Sequence, residues 1–342
     1  MKKRLKTEAV RSRVYGEILR GQYAPGDRLP TEREMERLGG ASRIIVRQAY
    51  AELEQAGVIE RVHGVGTFVA KTAAGNARNQ DSIALLTGLH DLFSVEFVET
   101  VEAAVADAHA LLVLKLTAED RAKEEQAAIS LVAHGVRNLI VWPSGRTMAA
   151  GTFERLRVLG VNLVFFDRVV PGAYADYVGV DNAHAIETIM RHARRRGATR
   201  FAFVNHAGDF ADTDRARQEH FEKWVAREGA EHEIVTVPRR GDYAGAVSRH
   251  LNRWAKLGQT LAVVCVNDDV ACALKRAAGD RLTIYGIDGL PLAKQLGVTS
   301  YAQPMRQMAA EAVRMLRRQQ SLGAAWTASR RYCRGKLIPG DT

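Results

Sequence analysis

Residues 42–69 read SRIIVRQAYAELEQAGVIERVHGVGTFV, a helical pattern that changes abruptly into a hairpin pattern. Apolar residues recur at helical spacing between Ser42, a residue type that favours the N-cap, and Gly57, which ends the helix. After Gly57, residues 58–62 and 67–69 are strand-like, and the four residues between them include two glycines. The stretch therefore predicts a helix followed by a short β-hairpin.

The residues before this stretch predict two further helices. Apolar residues at helical spacing run through residues 9–19, and Gly21 stops that helix. Thr31 and Glu34 have the spacing of a capping box, in which the threonine hydroxyl caps the next helix while the glutamate reaches back. Helices, glycine turns and a glycine-tipped hairpin in this order predict a winged helix-turn-helix over residues 1–70.

The sequence texture changes after this first part. Residues 71–81 lack periodicity and large apolar side chains, so we expect a linker there. Residues 82–342 repeat a unit of helix, glycine and short all-apolar strand, a pattern typical of parallel sheets covered by helices. The predicted fold class is multi-domain: an α+β winged helix-turn-helix, then an α/β domain for which two Rossmann-like lobes fit the length as well as one sheet.

Positive charge is concentrated at the N-terminal end. The chain of 342 residues carries 49 Lys and Arg against 39 Asp and Glu. Residues 1–71 hold 14 of the basic and 9 of the acidic residues, which makes them several times more basic per residue than the rest. This distribution favours a polyanionic partner, nucleic acid first and an acidic membrane surface second.

Composition excludes several classes of protein. Apolar residues make up 46% of the chain, yet no uninterrupted apolar run is long enough to span a membrane. The basic start at residues 1–6 is followed by no apolar region of a secretory signal. Three cysteines form neither a disulfide framework nor a metal-ligand spacing. We therefore expect a cytoplasmic protein with no metal or cofactor and no membrane partner.

The first part of the chain resembles a known family of DNA-binding domains. Residues 26–34, 42–49, 53–61 and 63–69 match the GntR-type DNA-binding domain almost block for block. The resemblance implies double-stranded DNA as the partner. Because one winged helix contacts few base pairs, we expect a homodimer on a palindromic operator.

The predicted DNA-binding residues are Arg33, Ser42, Arg43, Arg47, His63 and Gly64. Ser42 and Arg43 begin the helix that enters a major groove, and Arg47 follows one turn later on the same face. Arg33, near the start of the preceding helix, is placed for a phosphate or a guanine. The family uses its wing in the minor groove, which implies His63 and Gly64. A solvated helix face is the alternative interpretation for each arginine.

The remainder resembles, less tightly, the LacI/GalR-type ligand domain with its periplasmic-binding-protein fold. The matching segments are residues 165–168, 177–182, 214–221, 264–271, 286–289 and 299–304. His220 stands where the family usually has glycine. A GntR-type head on this body resembles the arabinose-repressor (AraR) architecture, which implies a regulator that senses a small polar molecule, a sugar.

Seven residues are predicted to bind the ligand: Phe93, Arg168, Arg217, Tyr243, Asn267, Asp288 and Gln303. Three of them, Arg168, Asn267 and Asp288, directly follow predicted parallel strands, where ligands of open α/β sheets bind. Arg217 and Gln303 are carried over from the family, while the aromatic residues are stacking candidates. The alternatives are a surface salt bridge for Arg168, a helix cap for Asp288 and ordinary core for Phe93.

The sequence thus predicts a ligand-responsive transcriptional regulator, a repressor and not an enzyme, with its effector between two lobes. One alternative is a carbohydrate-processing enzyme with a DNA-binding head, which a pair of catalytic carboxylates would favour. Another is a transport-type binding protein, which the basic N-terminal part and the absent signal segment oppose.

Overall fold

The computed structural model describes residues 2–39, 41–70, 82–88, 92–118, 120–143, 149–208, 212–257 and 260–340. The chain forms two compact units. The first comprises Met1–His90, Glu99–Tyr177 and Ala309–Arg330, and the second comprises Asp91–Val98, Val178–Met308 and Arg331–Thr342. The predicted linker at residues 71–81 lies outside the described residues. The predicted division into residues 1–70, 71–81 and 82–342 stays a prediction.

The helices in chain order are α1 (Lys2–Leu19), α2 (Glu32–Gly39), α3 (Arg43–Gln55), α4 (Leu92–Asp107), α5 (Arg121–Ala133), α6 (Ala150–Val158), α7 (Asn182–Arg195), α8 (Asp212–Glu228), α9 (Tyr243–Ala246), α10 (Ser248–Ala255), α11 (Asp268–Ala278), α12 (Pro291–Gln295) and α13 (Met305–Leu322). The strands are β1 (Ile59–Val62), β2 (Gly66–Val69), β3 (Ser82–Thr87), β4 (Leu111–Leu116), β5 (Asn138–Trp142), β6 (Asn162–Phe166), β7 (Asp176–Val180), β8 (Arg200–His206), β9 (Glu231–Val237), β10 (Leu261–Cys265), β11 (Thr283–Asp288), β12 (Thr299–Ala302), β13 (Arg330–Cys333) and β14 (Lys336–Ile338).

The head, residues 2–70, is the predicted winged helix-turn-helix. The capping box is confirmed: the Thr31 amide donates to the Glu34 carboxylate at 2.8 Å, and the Glu34 amide lies 3.3 Å from the Thr31 hydroxyl oxygen. Hydrogen bonds from the amide and the hydroxyl of Thr31 to the carboxylate hold the pKa of Glu34 below its usual value. Ser42 occupies the N-cap of α3, but its side chain makes no capping hydrogen bond.

The wing contains a second backbone pairing that the sequence did not predict. Beside the antiparallel pair β1–β2, Arg28 bridges Phe68, and the amide of Leu29 donates to the carbonyl of Thr67 at 2.8 Å. The turn before α2 is therefore joined to the hairpin, which fixes the wing relative to the helices.

Two six-stranded sheets confirm the predicted α/β body. One has the order β13-β7-β6-β5-β3-β4 and the other the order β14-β12-β11-β10-β8-β9. The registered pairs among β3 to β6 and among β8 to β12 are parallel, whereas β14 runs antiparallel to β12. In each sheet the chain reverses its direction of strand addition, at β3/β5 and at β8/β10, which makes those strand ends topological switch points.

Helix α1 packs against the body as well as against the head. Val14, Tyr15 and Leu19 are fully buried in a core that continues into α5 and α6. The carbonyl of Leu19 accepts a hydrogen bond from the guanidinium of Arg155, and Arg20 lies 3.8 Å from Glu125. The head is therefore held on the first unit by both apolar and polar contacts.

No helix within the described residues is long and apolar enough to cross a membrane.

Candidate functional site

The start of α3 presents two arginines to solvent. The side chains of Arg43 and Arg47 are 60% and 58% exposed, and each guanidinium contacts the Glu32 carboxylate of α2, at 3.4 and 3.1 Å. Arg61 of the wing approaches the same carboxylate at 3.9 Å. One carboxylate thus gathers arginines from α3 and the wing. We call α3 the recognition helix.

These exposed ion pairs can be exchanged for contacts to DNA. An exposed pair contributes only about 0–1 kcal/mol, whereas phosphates and guanine edges accept charge-assisted, often bidentate bonds from arginine. Glu32 therefore orients Arg43 and Arg47 in the free protein without holding them strongly. No residue in the sequence pattern indicated this role, because Glu32 and the two arginines belong to different helices.

The remaining predicted residues of the recognition surface are also exposed. Arg33 and Ser42 both lie in solvent, and the side chain of Arg33 makes no hydrogen bond or ion pair within the described part of the chain. Sequence reasoning missed Ile44, which is 66% exposed between the two arginines. An apolar side chain at this position can contact the methyl group of thymine.

Two glycines at the tip of the wing have positive φ angles. His63 is exposed, and Gly64 has φ +75° with open space around the position that a Cβ would take. Gly66 has φ +151°, and a Cβ there would lie 2.9 Å from Nε of Arg28. The backbone at Gly64 can therefore approach another surface closely, as insertion into a groove requires.

The second unit gathers polar side chains at the carboxyl edge of its sheet. Neighbouring strands β12, β11, β10 and β8 end at or just before Gln303, Asp288, Asn267 and His206. His206 and Asn267 flank the β8/β10 switch point, where open α/β sheets bind their ligands. We call these strand ends, with the first turns of α8 and α9, the carboxyl edge.

Arg217 is the most buried predicted ligand residue. It is 4% exposed on α8; its Nε donates to Oδ1 of Asn182 at 3.0 Å and its Nη1 to the carbonyl of Val266 at 2.7 Å. Two of its five N–H donors are thereby committed to the fold. The others are available to a ligand oxygen at the end of β10.

Asp288 and Gln303 are brought together. Nε2 of Gln303 donates to Oδ1 of Asp288 at 2.7 Å, and the Gln303 amide donates to the Asp288 carbonyl at 3.3 Å. Asp288 has φ +137°, an unusual conformation for a residue other than glycine. The hydrogen bond from Gln303 is a contact of the Asp288 side chain other than a helix cap.

A buried carboxylate that sequence reasoning missed binds the backbone just after Asp288. Asp268 is fully buried and accepts bonds from the amides of Gly289 and Leu290, both at 2.8 Å, and from the Ser300 hydroxyl at 2.7 Å. Burial raises the pKa of Asp268, while the hydrogen bonds from Ser300, Leu290 and Gly289 oppose that shift. Asp268 fixes the backbone that presents Asp288.

Asn267 has a structural task of its own. Its Oδ1 accepts a bond from the Val270 amide at 3.0 Å and so caps α11. Its side-chain NH₂ group is what remains for a ligand.

Sequence reasoning also missed His206. Nδ1 of His206 lies 3.0 Å from Oδ2 of Asp214, and its ring is 6.2 Å from the ring of Tyr243. Tyr243 was predicted as a stacking residue; its hydroxyl donates to the Arg239 carbonyl at 2.8 Å. The position of His206 after the apolar run 201–204 was the signal available in the sequence.

Two predicted ligand residues lie elsewhere. Arg168 belongs to the first unit, where its guanidinium lies 5.5 Å from the Trp142 ring centroid and 3.9 Å from the Asp167 carboxylate. These contacts do not decide between the salt-bridge alternative and a ligand role, so the role of Arg168 stays a prediction. Phe93 lies in α4, and its side chain is outside the described residues.

Two family models match segments of the chain. Residues 6–69 match the family model described as bacterial regulatory proteins, gntR family. Residues 190–342 match a periplasmic binding protein-like domain.

Several relatives match along most of both chains. The arabinose metabolism transcriptional repressor of Geobacillus stearothermophilus is 26% identical over 322 residues, which cover 87% of this chain and 86% of the relative. A periplasmic binding protein/LacI transcriptional regulator from Alkaliphilus metalliredigens QYMF, complexed with D-xylulofuranose, has a TM-score of 0.63 at 15% identity over 77% of this chain and 98% of its own. The transcriptional regulator CelR in complex with cellobiose has a TM-score of 0.64 at 18% identity over 92% of this chain and 99% of its own.

Proposed function

We propose that this chain, in which a gntR-family winged helix precedes a periplasmic-binding-protein-like domain, is a transcriptional repressor whose affinity for DNA responds to a sugar. The observation that carries the proposal is the exposure of Arg43 and Arg47 on one face of the recognition helix, aligned by Glu32. The relative from Geobacillus stearothermophilus, a repressor of arabinose metabolism by name, supports it over both parts of the chain. Such a protein acts in the cytoplasm, where its DNA lies.

In the proposed DNA complex the head reads both grooves. Ser42, Arg43 and Arg47 face the base edges and phosphates of the major groove, and Arg33 binds a phosphate or guanine beside them. His63 and Gly64 enter the adjacent minor groove with the tip of the wing. Phosphate contacts position the protein, while the arginine that reaches a base edge specifies the sequence.

The proposed effector is a small hydroxylated molecule. Arg217, Asn267, Asp288 and Gln303 supply donors and acceptors at the carboxyl edge, and Tyr243 supplies an aromatic face. Arg168 and Phe93, the other two predicted ligand residues, stay part of the proposal. The effector changes repression only through a difference in its affinity for two conformations of the protein.

We further propose that the repressor is a homodimer on a palindromic operator. Among the described residues, strand β4 is the last strand at one edge of its sheet. Two leucines on this strand, Leu111 and Leu116, are 74% and 58% exposed. An exposed apolar edge strand is a surface that proteins cover. A second copy of the chain on this strand would pair two heads, as an inverted repeat requires.

An enzymatic role receives no support from the described carboxylates of this edge. Asp214 is bonded to His206, Asp268 to Ser300 and Asp288 to Gln303. Each of these carboxylates already has a hydrogen-bonding partner, whereas sugar hydrolysis needs two carboxyl groups free to act as a pair. We therefore propose binding without chemistry.

Selection of duplex DNA from a random pool by the full-length protein tests the function. We expect the enriched sequences to contain an inverted repeat, and a panel of pentoses and hexoses to include one that changes affinity for it. Enrichment of no sequence over the starting pool, at a salt concentration where non-specific binding is weak, would overturn the assignment.

A further inference from the structure

We propose that His206 and Gln303 face the effector as hydrogen-bond acceptors, so that the site takes an uncharged polyhydroxylated molecule in preference to a sugar acid or a sugar phosphate. This inference rests on the proposed function, and it adds the charge class of the effector and a contact residue, His206.

Gln303 presents an oxygen atom. Its Nε2 donates to the Asp288 carboxylate at 2.7 Å, and an ionised carboxylate can only accept. The amide is therefore oriented with its NH₂ group toward Asp288. The other atom, Oε1, is buried in a residue only 8% exposed and has no hydrogen-bond partner within the described part of the chain. Oε1 is a carbonyl oxygen and can only accept a hydrogen bond.

His206 presents a nitrogen lone pair by the same reasoning. Its Nδ1 lies 3.0 Å from Oδ2 of Asp214, so Nδ1 carries the proton of that hydrogen bond, and we infer a lone pair on Nε2. The residue is 8% exposed, and Nε2 is buried without a partner among the described residues. Asp214 is thus a positioning residue that selects the tautomer of His206.

Both acceptors belong to the edge that holds Arg217. Asp214 and Arg217 are three residues apart on α8 and so share a face of that helix. Asp214 reaches His206 at the end of β8, while Arg217 reaches the Val266 carbonyl at the end of the neighbouring β10. Gln303 follows β12, three strand intervals from β8. A ligand that satisfies both acceptors must donate from well-separated groups.

The chemistry of these groups selects the ligand. A buried acceptor left without a donor costs free energy, and a ligand hydroxyl supplies the donor. A carboxylate or phosphate supplies only acceptors, so it would place lone pair against lone pair at both residues. Two of the N–H donors of Arg217 already serve Asn182 and Val266, which reduces what it can offer an anion. A neutral sugar or polyol can place a hydroxyl at each acceptor, whereas an anionic group at either position cannot.

The first measurement needs no ligand. In the full-length protein at neutral pH, ¹⁵N NMR of the histidine rings should show His206 with its proton on Nδ1. In Asp214→Asn the side-chain amide can donate to Nδ1 instead, and the His206 signal should move toward the Nε2–H tautomer. A wild-type His206 with a proton on Nε2, alone or together with one on Nδ1, would overturn the inference.

The second measurement compares probes that differ in one group. Calorimetry with L-arabinose and L-arabinonate, D-xylose and D-xylonate, D-glucose and D-gluconate, and D-glucose 6-phosphate should give binding to a neutral member, with its acid or phosphate weaker by about tenfold or more. His206→Phe keeps a ring but removes both nitrogens, and should weaken that sugar by about tenfold. His192→Gln is the control. His192 lies on α7, outside the carboxyl edge as defined above, and its ring pairs with the hydroxyl of Tyr285 on β11.

The outcomes separate this inference from the function. Tighter binding of an acid or phosphate than of its neutral partner, or unchanged affinity in His206→Phe, overturns the inference and leaves a sugar-sensing repressor standing. Binding of no member of the panel overturns both. A melting temperature for each variant shows that lost binding is not lost folding, and the ¹⁵N result on the wild type stands independently of every variant.

Discussion

Arg11 on α1 and Glu52 on the recognition helix form an ion pair of 3.1 Å. The same guanidinium donates to the carbonyl of Ala133, at the end of α5. One side chain therefore connects the helix that reads DNA to a helix of the body, through a residue whose side chain is only 19% exposed. The orientation of the head on the first unit depends on this contact as well as on the apolar face of α1.

Replacing Arg11 by alanine should destabilise the whole chain. The change removes the donor from the Ala133 carbonyl and the cation from the Glu52 carboxylate, which keeps its bond to Gln48. We expect a cost of about 1–3 kcal/mol in the free energy of unfolding. Urea denaturation of the full-length protein measures it. Arg121→Ala, at an exposed position of α5, is the control and should stay within about 0.5 kcal/mol of wild type. Equal stability of the two variants would show that Arg11 does not join head to body.

Glu32→Gln should bind DNA more tightly but less selectively. The carboxylate that gathers Arg43, Arg47 and Arg61 becomes neutral, so non-specific attraction to phosphates increases while the arginines lose their alignment. We expect the ratio of operator to non-specific affinity to fall by roughly 5- to 30-fold, or about 1–2 kcal/mol. Fluorescence anisotropy on both duplexes measures the ratio. Glu60→Gln makes the same charge change on the exposed face of β1 and should leave the ratio unaltered.

Alanine at Arg33, Arg43 and Arg47 together should abolish operator binding at moderate salt. Each phosphate contact that is lost should lower the slope of log affinity against log salt by about one. Each base contact that is lost should cost roughly 1–3 kcal/mol at one position of the operator and relax the choice of base there. A triple variant that shifts its operator like wild type would remove these residues from the interface.

Arg217→Ala should separate sensing from DNA binding. The variant loses the bonds to Asn182 and to the Val266 carbonyl, so the effector should bind more than about tenfold more weakly, while the operator is bound within a few-fold of wild type. Calorimetry and anisotropy measure the two affinities. Arg215→Ala, two residues earlier and 53% exposed, is the control. Loss of DNA binding and ligand binding together, with unchanged melting, would contradict the separation.

Leu111→Glu with Leu116→Glu should yield a monomer. Charged side chains on an exposed edge strand oppose its burial against a second copy. Light scattering at tens of micromolar measures the mass, and Leu322→Glu, at the exposed end of α13, should remain dimeric. A dimer that survives both substitutions on β4 places the interface elsewhere.

The sequence predicted what depends on neighbours along the chain. The Thr31–Glu34 capping box, the recognition helix and the glycine-tipped hairpin were predictable because their partners lie within a few residues. The exposure of Arg43 and Arg47 followed from the same helical periodicity.

Contacts between distant residues were not predictable in this way. Glu32 and Arg47 lie on different helices, with a turn between them. Arg11 and Ala133 are in contact although they are far apart along the chain. His206 and Asp214 are eight residues apart, but only the fold at the end of β8 brings the ring to the carboxylate. The sequence placed the ligand residues at strand ends, since parallel strands share one edge, and could not say which of them already had partners.

The support that Asp268 gives to the loop at Gly289 and Leu290 has a consequence for how effector choice can diverge. The shape of that loop is fixed from beneath, by bonds that do not involve the side chain of Asp288. Positions 288 and 303 can therefore be exchanged while the frame that carries them persists, with asparagine or glycine best suited to the positive φ at 288. A library randomised at these two positions should yield mostly folded proteins with new ligands, whereas one that includes position 268 should yield few folded proteins at all.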